Sequence, residues 1–134
     1  MNVIVKDKQV SRINVDEYIS FEIKDGIMIG VFKQDIVVDI ELARVLVKAR
    51  LELCDGKDYP TLLYYDKFKY ANKAVRDYMQ VEGVRGIKAG AIITRSVSIK
   101  TFFNFYLAVA KLEIPTKVFN SEENAQTWLM QFVD

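Results

Sequence analysis

The order of the apolar segments predicts an α/β fold: a single-layer, mostly parallel, five-stranded sheet with an N-terminal β-hairpin and about four helices. Two β-rich runs, Tyr18–Ile23 and Ile27–Phe32, come first, and amphipathic helical patterns then alternate with short apolar runs. Such alternation is typical of parallel strands joined by crossover helices. The chain has 134 residues, of which 51% are hydrophobic, enough for one domain with its own core. We predict a single domain over residues 1–134, in which residues 1–17 form a frayed end or an edge strand.

The first two strands are predicted to form an antiparallel hairpin. The segment Tyr18–Ile23 alternates between apolar and polar residues, whereas Ile27–Phe32 is nearly all apolar, as in a strand buried on both faces. Asp25-Gly26 lies in the link between them and indicates a hairpin turn, because glycine accepts the positive φ that this turn requires. We expect the other strands to be parallel, since each is reached through a helix.

Caps and turn residues delimit the remaining elements. Asp39 is expected to cap a helix that runs to about Cys54, because its carboxylate accepts the free amide groups of the first turn. Further strands are predicted at Thr61–Tyr65, Lys88–Thr94 and Pro115–Phe119. Further helices are predicted at Asn72–Gln80, from Ser96 or Ser98 to about Lys111, and from Ser121 to about Phe132. The predicted core includes Leu62, Ile92, Trp128 and Leu129.

The composition excludes several kinds of chemistry. The chain has no histidine, so it has neither a histidine-activated nucleophile nor a histidine-ligated zinc ion. Its single cysteine, Cys54, excludes an internal disulfide and a thiolate metal cluster, and one unpaired thiol fits a reducing cytoplasm. At the end of a helix, Cys54 should have a raised thiol pKa, which argues against a nucleophile. We therefore predict no cofactor, no metal and a cytoplasmic location.

Charge and hydropathy favour neither a membrane nor a nucleic acid as the partner. The N-terminal apolar run is too short for a signal peptide, and no apolar stretch reaches the ~18 residues of a membrane span. The net charge is +1, although residues 67–100 contain only Asp77 and Glu82 as acids against Lys67, Lys69, Lys73, Arg76, Arg85, Lys88, Arg95 and Lys100. We interpret this segment as a solvated face, with an acidic protein or a phosphate-bearing ligand as the alternatives. Too few aromatic residues lie among its bases to stack nucleotides.

The C-terminal half resembles a known group of proteins. It contains a strand of small residues (KAGAIIT), a polar turn, a helix with aromatic residues around Asn104, and a Pro115-x-x-x-Phe119 strand. A closing Ser-Glu-Glu-x-Ala-x-x-Trp-Leu segment comprises Ser121, Glu122, Glu123, Ala125, Trp128 and Leu129. This set is similar to the SpoIIAA-like group of the STAS/SEC14-type superfamily, and the order of elements from Tyr18 onward also fits. The resemblance implies a SpoIIAA/STAS-like fold and a small, stand-alone bacterial protein of unassigned function.

Two branches of that superfamily have features that this sequence lacks. Anti-sigma factor antagonists are switched by phosphorylation of a serine in an Asp-Ser turn, but the matching stretch here is Ala71-Asn72-Lys73, where Tyr70 supplies the nearest hydroxyl. The phosphorylation site is therefore not carried over. The lipid-binding branch uses a large apolar cavity and additional helices, for which this chain is too short.

Polar residues follow two neighbouring predicted strands. Asp66 follows the first of them, and the second is followed by Thr94, Arg95, Ser96 and Ser98. Ligands of open α/β sheets bind beyond the carboxyl ends of parallel strands, and the helix that opens here presents free amide groups to an anion. We predict a ligand site at these five residues. The alternative is that a serine caps the helix while Arg95 pairs with Asp66 or lies in water.

The helix from Val97 to Lys111 has a wider apolar face than packing on a sheet requires. At about 100° per residue its apolar side chains cover an arc of roughly 200°. Phe102, Phe105 and Val109 would lie in water in a monomer, so we predict a homodimer with two-fold symmetry that buries them. The alternative is that Val3–Val5 cover this face.

The sequence thus predicts a non-enzymatic protein–protein interaction or regulatory domain whose protein partner is unidentified. A small-ligand or lipid-binding module is the first alternative. The second is an enzyme that uses paired carboxylates, for which the candidates are Asp35/Asp39, Asp55/Asp58 and Glu122/Glu123.

Overall fold

A computed structural model describes residues 15–109 and 112–134, which form an α/β fold. After a short helix α1 (Val15–Tyr18), the strands are β1 (Ile19–Lys24), β2 (Ile27–Phe32), β3 (Ile36–Val38), β4 (Tyr59–Tyr64), β5 (Phe68–Tyr70), β6 (Ile87–Ile93) and β7 (Thr116–Phe119). The longer helices are α2 (Ile40–Cys54), α3 (Lys73–Val81), α4 (Val97–Val109) and α5 (Glu122–Leu129), and a 3-10 helix follows at Met130–Phe132. Residues 15–17 of the predicted frayed end or edge strand belong to α1, and residues 1–14 lie outside the described residues.

Five strands form one sheet in the order β1-β2-β4-β6-β7. β1 pairs antiparallel with β2, and every other neighbouring pair is parallel. Asp25 and Gly26 both have positive φ, 54° and 80°, as in the type I′ turn whose twist suits a two-residue hairpin. The predicted mixed sheet, its N-terminal hairpin and its parallel remainder are confirmed.

A second sheet was not predicted from the sequence. It has two parallel strands, β3 and β5, in which Val37 lies opposite Lys69. Each strand has three residues, which is too short for an alternating pattern to be recognised. The expectation of a single sheet is therefore corrected: this small sheet connects the segment before α2 to the segment that follows β4.

Hydrogen-bonding side chains begin the helices as predicted. Asp39 Oδ1 accepts from the backbone N–H of Leu42 at 2.8 Å and starts α2. Ser121 Oγ accepts from the N–H of Asn124 at 3.2 Å and starts α5. These caps satisfy amide groups of the first turn that have no partner within the helix.

The five-stranded sheet has a hydrophobic core on each face. On one face, α5 places Ala125 and Leu129 against Leu62 of β4 and the small residues of β6. On the other face, α2 packs its apolar side against Phe32 and neighbouring residues. Leu62 and Leu129 are fully buried, as predicted. The predicted core residues Ile92 and Trp128 are only partly buried: Ile92 lines a cavity, and Trp128 packs between Phe119 and Phe132 near the surface.

Candidate functional site

The parallel sheet brings four of the five predicted ligand-site residues together at one edge. Thr94 Oγ1 donates to Asp66 Oδ1 at 2.5 Å, and the backbone N–H of Arg95 lies 3.3 Å from both carboxylate oxygens of Asp66. The N–H of Ser96 donates to Thr94 Oγ1 at 3.1 Å. Ser98 lies exposed in the first turn of α4.

This cluster satisfies its own hydrogen bonds. Ser96 Oγ accepts from the N–H of Ile99 at 3.2 Å and so caps α4, while the carboxylate of Asp66 occupies the donors that an external anion would need. The geometry supports the alternative in which a serine caps the helix. The structure differs from that alternative in one detail: the backbone N–H of Arg95, rather than its guanidinium, contacts Asp66. A ligand at Asp66, Thr94, Arg95, Ser96 and Ser98 stays a prediction.

A cavity of about 270 Å³ lies on the sheet face opposite α5. Sheet residues on one side of it include Gly30, Leu63 and Ile92, and helix residues on the other include Met79 of α3 and Phe103 of α4. Most of its lining is apolar. Its volume is below the ~300 Å³ at which typical small-molecule pockets start, so the expectation that the chain is too short for the large cavity of the lipid-binding branch stays a prediction.

The cavity exists because small residues on the sheet face an incompletely packed helix. A Cβ added to Gly90 would meet only the side chain of Thr116 within 4 Å, at 3.6 Å, so open space lies above this glycine. None of the residues of α4 is buried, although the helix is rich in aromatic side chains. Well-packed interiors contain few voids larger than a water molecule. A cavity of this size is therefore uncommon in a protein interior.

Aromatic rings form one wall of the cavity. The ring of Tyr65 lies 4.2 Å from that of Phe68 and 4.6 Å, edge-on, from that of Phe103, measured between centroids. Burial raises the pKa of Tyr65 to about 12 and raises the pKa of Tyr70 further. Both hydroxyl groups are therefore neutral at physiological pH and can donate a hydrogen bond into an apolar space.

The outer side of α4 faces solvent. Phe105 is 72% exposed and Val109 64%, while Phe102, which also lines the cavity, is 56% exposed. The role of these three side chains as an interface stays a prediction. Val3–Val5, the predicted alternative cover, lie outside the described residues.

Arg50 was missed by the sequence analysis. It belongs to α2, lines the cavity and is only 6% exposed. Its Nη1 donates to the carbonyl oxygen of Arg85 at 2.5 Å and its Nη2 to that of Gly83 at 2.9 Å. Burial lowers the pKa of this guanidinium, which nevertheless stays charged at neutral pH. The available signal was its spacing, four residues after Leu46, on the face of α2 that enters the core.

Cys54 is expected to react slowly with thiol reagents in the folded protein. The side chain is 2% exposed, and burial raises its pKa, although the nearby Arg50 partly opposes that shift. Little thiolate therefore forms at neutral pH. The reaction with Ellman's reagent should be much slower in native buffer than in denaturant. Equal rates in the two solutions would show that Cys54 is accessible.

The described part of the chain, residues 15–109 and 112–134, has neither a cluster of metal ligands nor a membrane-spanning helix. Within these ranges, no group of three or more histidine, cysteine, aspartate or glutamate side chains could hold a metal ion. No helix in the described part of the chain is long and apolar enough to cross a membrane. The expected absence of a metal and of a cofactor stays a prediction.

Comparison with known proteins identifies the fold and the family. No curated protein matches the sequence significantly. The crystal structure of an uncharacterized protein from Shewanella loihica PV-4, of the DUF3478 family and with a SpoIIAA-like fold, matches with a TM-score of 0.62 and 12% identity, over 83% of this chain and 91% of that one. At this identity the match shows the fold alone, and it confirms the predicted SpoIIAA-like resemblance. The model of a family described as a domain of unknown function, DUF7793, matches residues 21–133, and the chain belongs to that family.

Proposed function

We propose that this protein binds a small apolar molecule in the cavity between the sheet and helices α3 and α4. The cavity itself carries the proposal: its volume, about 270 Å³, is close to the smallest of typical small-molecule pockets, which start at about 300 Å³. The sequence favoured protein interaction and gave ligand binding as the first alternative. The mostly apolar cavity favours ligand binding over protein interaction.

A few polar groups in the lining would orient such a ligand. The hydroxyl of Tyr106 donates to Gln80 Oε1 at 3.2 Å, and both residues line the cavity. The hydroxyl-bearing side chains of Tyr65 and Tyr70 line it as well. Apolar walls with a few convergent polar groups are typical of pockets that select one class of small molecule.

Filling the cavity should abolish binding of a neutral apolar probe. We expect wild-type protein to bind 1-aminoanthracene saturably, with an increase in dye fluorescence. In Gly90→Leu, a leucine side chain would occupy the open space above the strand, and the Kd should rise by about tenfold or more. Circular dichroism would verify that the variant is folded, and fluorescence titration gives the Kd.

The matched control removes apolar surface outside the cavity. Phe105 is 72% exposed on the outer face of α4 and does not line the cavity, so Phe105→Glu should leave the Kd nearly unchanged. A Kd that rises in Phe105→Glu but not in Gly90→Leu would mean that the dye binds the outer face. That result would overturn the proposal.

The outer face of α4 supports a second candidate function, protein–protein interaction with a second copy of the chain. Among the described residues of α4, Lys100 is the only charged one, so two such faces can meet without like-charge repulsion. The exposed Phe102, Phe105 and Val109 would be buried in that contact. The expectations of a bacterial source, a cytoplasmic location and no enzymatic activity remain predictions.

A further inference from the structure

We propose that the cavity selects apolar molecules that carry one anionic group, such as a carboxylate, and that Arg50 binds this group. The inference rests on the proposed function and specifies its ligand class. A neutral apolar molecule would fill the same space but would leave the guanidinium of Arg50 without a counter-ion.

Among the described residues, the buried charge of Arg50 has no counter-ion. Its side chain is 6% exposed, and within residues 15–109 and 112–134 it forms no ion pair; its hydrogen-bond partners are the backbone carbonyl groups of Gly83 and Arg85. The side chain of Arg85 carries a charge of the same sign and acts on Arg50 unfavourably. A buried charge is costly unless an opposite charge accompanies it. An anion in the cavity would supply that charge.

The guanidinium of Arg50 has N–H donors left over after its two contacts with carbonyl groups. A guanidinium has a planar fork of N–H groups that suits the two oxygens of a carboxylate, and the two carbonyl groups use only part of it. Tyr70 lines the same cavity, and its neutral hydroxyl adds a further hydrogen-bond donor to the lining. The rest of the lining, which is mostly apolar, would hold the hydrocarbon part of the ligand.

A purely structural role at this position does not require a charged side chain. Arg50 holds the turn that follows α3, but two carbonyl oxygens can be satisfied by any neutral donor, which is less costly to bury than a charge. Arg76 also lines the cavity, but it is exposed, so water screens its attraction for an anion. These differences assign the anion to Arg50 rather than to Arg76.

The experiment compares a fluorescent aromatic acid of about the size of 1-aminoanthracene, anthracene-9-carboxylic acid, with its methyl ester at about pH 7.5, where the acid is ionised. Wild-type protein should bind the acid about tenfold more tightly than the ester, or better. Arg50→Gln keeps hydrogen-bond donors for the carbonyl groups but loses the charge, so it should bind both probes with the affinity of the ester. Arg50→Lys should keep much of the preference for the acid.

The matched control is Arg85→Gln, which removes the same charge near Arg50 from an exposed residue that pairs with Glu82 and does not line the cavity. It should keep the full preference for the acid. A preference that is lost in Arg76→Gln but kept in Arg50→Gln would overturn the assignment. Should Arg50→Gln fail to fold, the wild-type protein, Arg50→Lys and Arg76→Gln still decide the question.

The two proposals fail in different ways. Equal affinities of wild-type protein for acid and ester would overturn the selection of an anion and leave the apolar ligand standing. No saturable binding of the acid, the ester or 1-aminoanthracene would overturn both proposals.

Discussion

Trp128→Ala is expected to lower the free energy of unfolding by about 3 kcal/mol, at the lower end of the ~3–5 kcal/mol typical of buried large aromatic residues. The indole ring lies 5.7 Å from the ring of Phe119 and 5.1 Å from that of Phe132, between centroids. The Nζ of Lys117 lies 5.9 Å above it. Truncation would remove all three contacts and expose the edge of the core beneath α5. Partial exposure of Trp128 keeps the effect below that of a fully buried tryptophan.

Urea denaturation followed by circular dichroism measures this loss. Val81→Ala is the control, because Val81 is 65% exposed on α3 and its truncation should change stability by less than about 0.5 kcal/mol. A loss below about 1 kcal/mol for Trp128→Ala would show that Trp128 is peripheral rather than part of the core. Trp128 does not line the cavity, so folded Trp128→Ala should still bind 1-aminoanthracene.

The elements that the sequence predicted correctly are those with local causes. The hairpin depends on Asp25-Gly26, and α2 depends on the cap at Asp39, so a few adjacent residues contain the necessary information. The pairing of β3 with β5 depends on contacts between segments about thirty residues apart, and neither three-residue strand has a recognisable pattern of its own. Tertiary contacts determine such short strands, and a single sequence does not display them.

Tertiary contacts that the sequence does not display also determine the candidate sites. The strand order predicted that Asp66 and Thr94 would be neighbours, but not that they would satisfy each other with a 2.5 Å hydrogen bond. The wide apolar arc of α4 predicted surplus apolar surface. It did not predict that Phe103 and Tyr106 would face a cavity while Phe105 faces solvent. A cavity depends on how closely two elements approach, which periodicity does not specify.

Arg50 was missed for a different reason. Amphipathic analysis assigns charged residues to the exposed side of a helix, and Arg50 is a charged residue on the buried side of α2. A lone arginine in line with Leu42 and Leu46 is inconsistent with the pattern, and such inconsistencies often mark functional positions.

Phe105→Glu is expected to convert a dimer into a folded monomer. The side chain of Phe105 lies 72% exposed between those of Phe102 and Val109, and a charge placed there would be buried without a partner in a two-fold contact between α4 helices. Light scattering at several concentrations should give the mass of a dimer for the wild-type chain and that of a monomer for the variant. A thermal melt should show that the variant remains folded.

The control variant changes a neighbouring residue of α4. Asn104 is exposed and lies about 100° around α4 from Phe105, so Asn104→Glu adds the same charge beside the contact and should leave the dimer intact. If Val3–Val5 cover this face instead, Phe105→Glu should lower the melting temperature while the mass in solution stays the same. A wild-type chain that remains monomeric at high micromolar concentration would contradict the dimer directly. Loss of the dimer in Phe105→Glu with unchanged binding of 1-aminoanthracene would instead show that the two sides of α4 serve separate functions, with self-association outside and ligand binding inside.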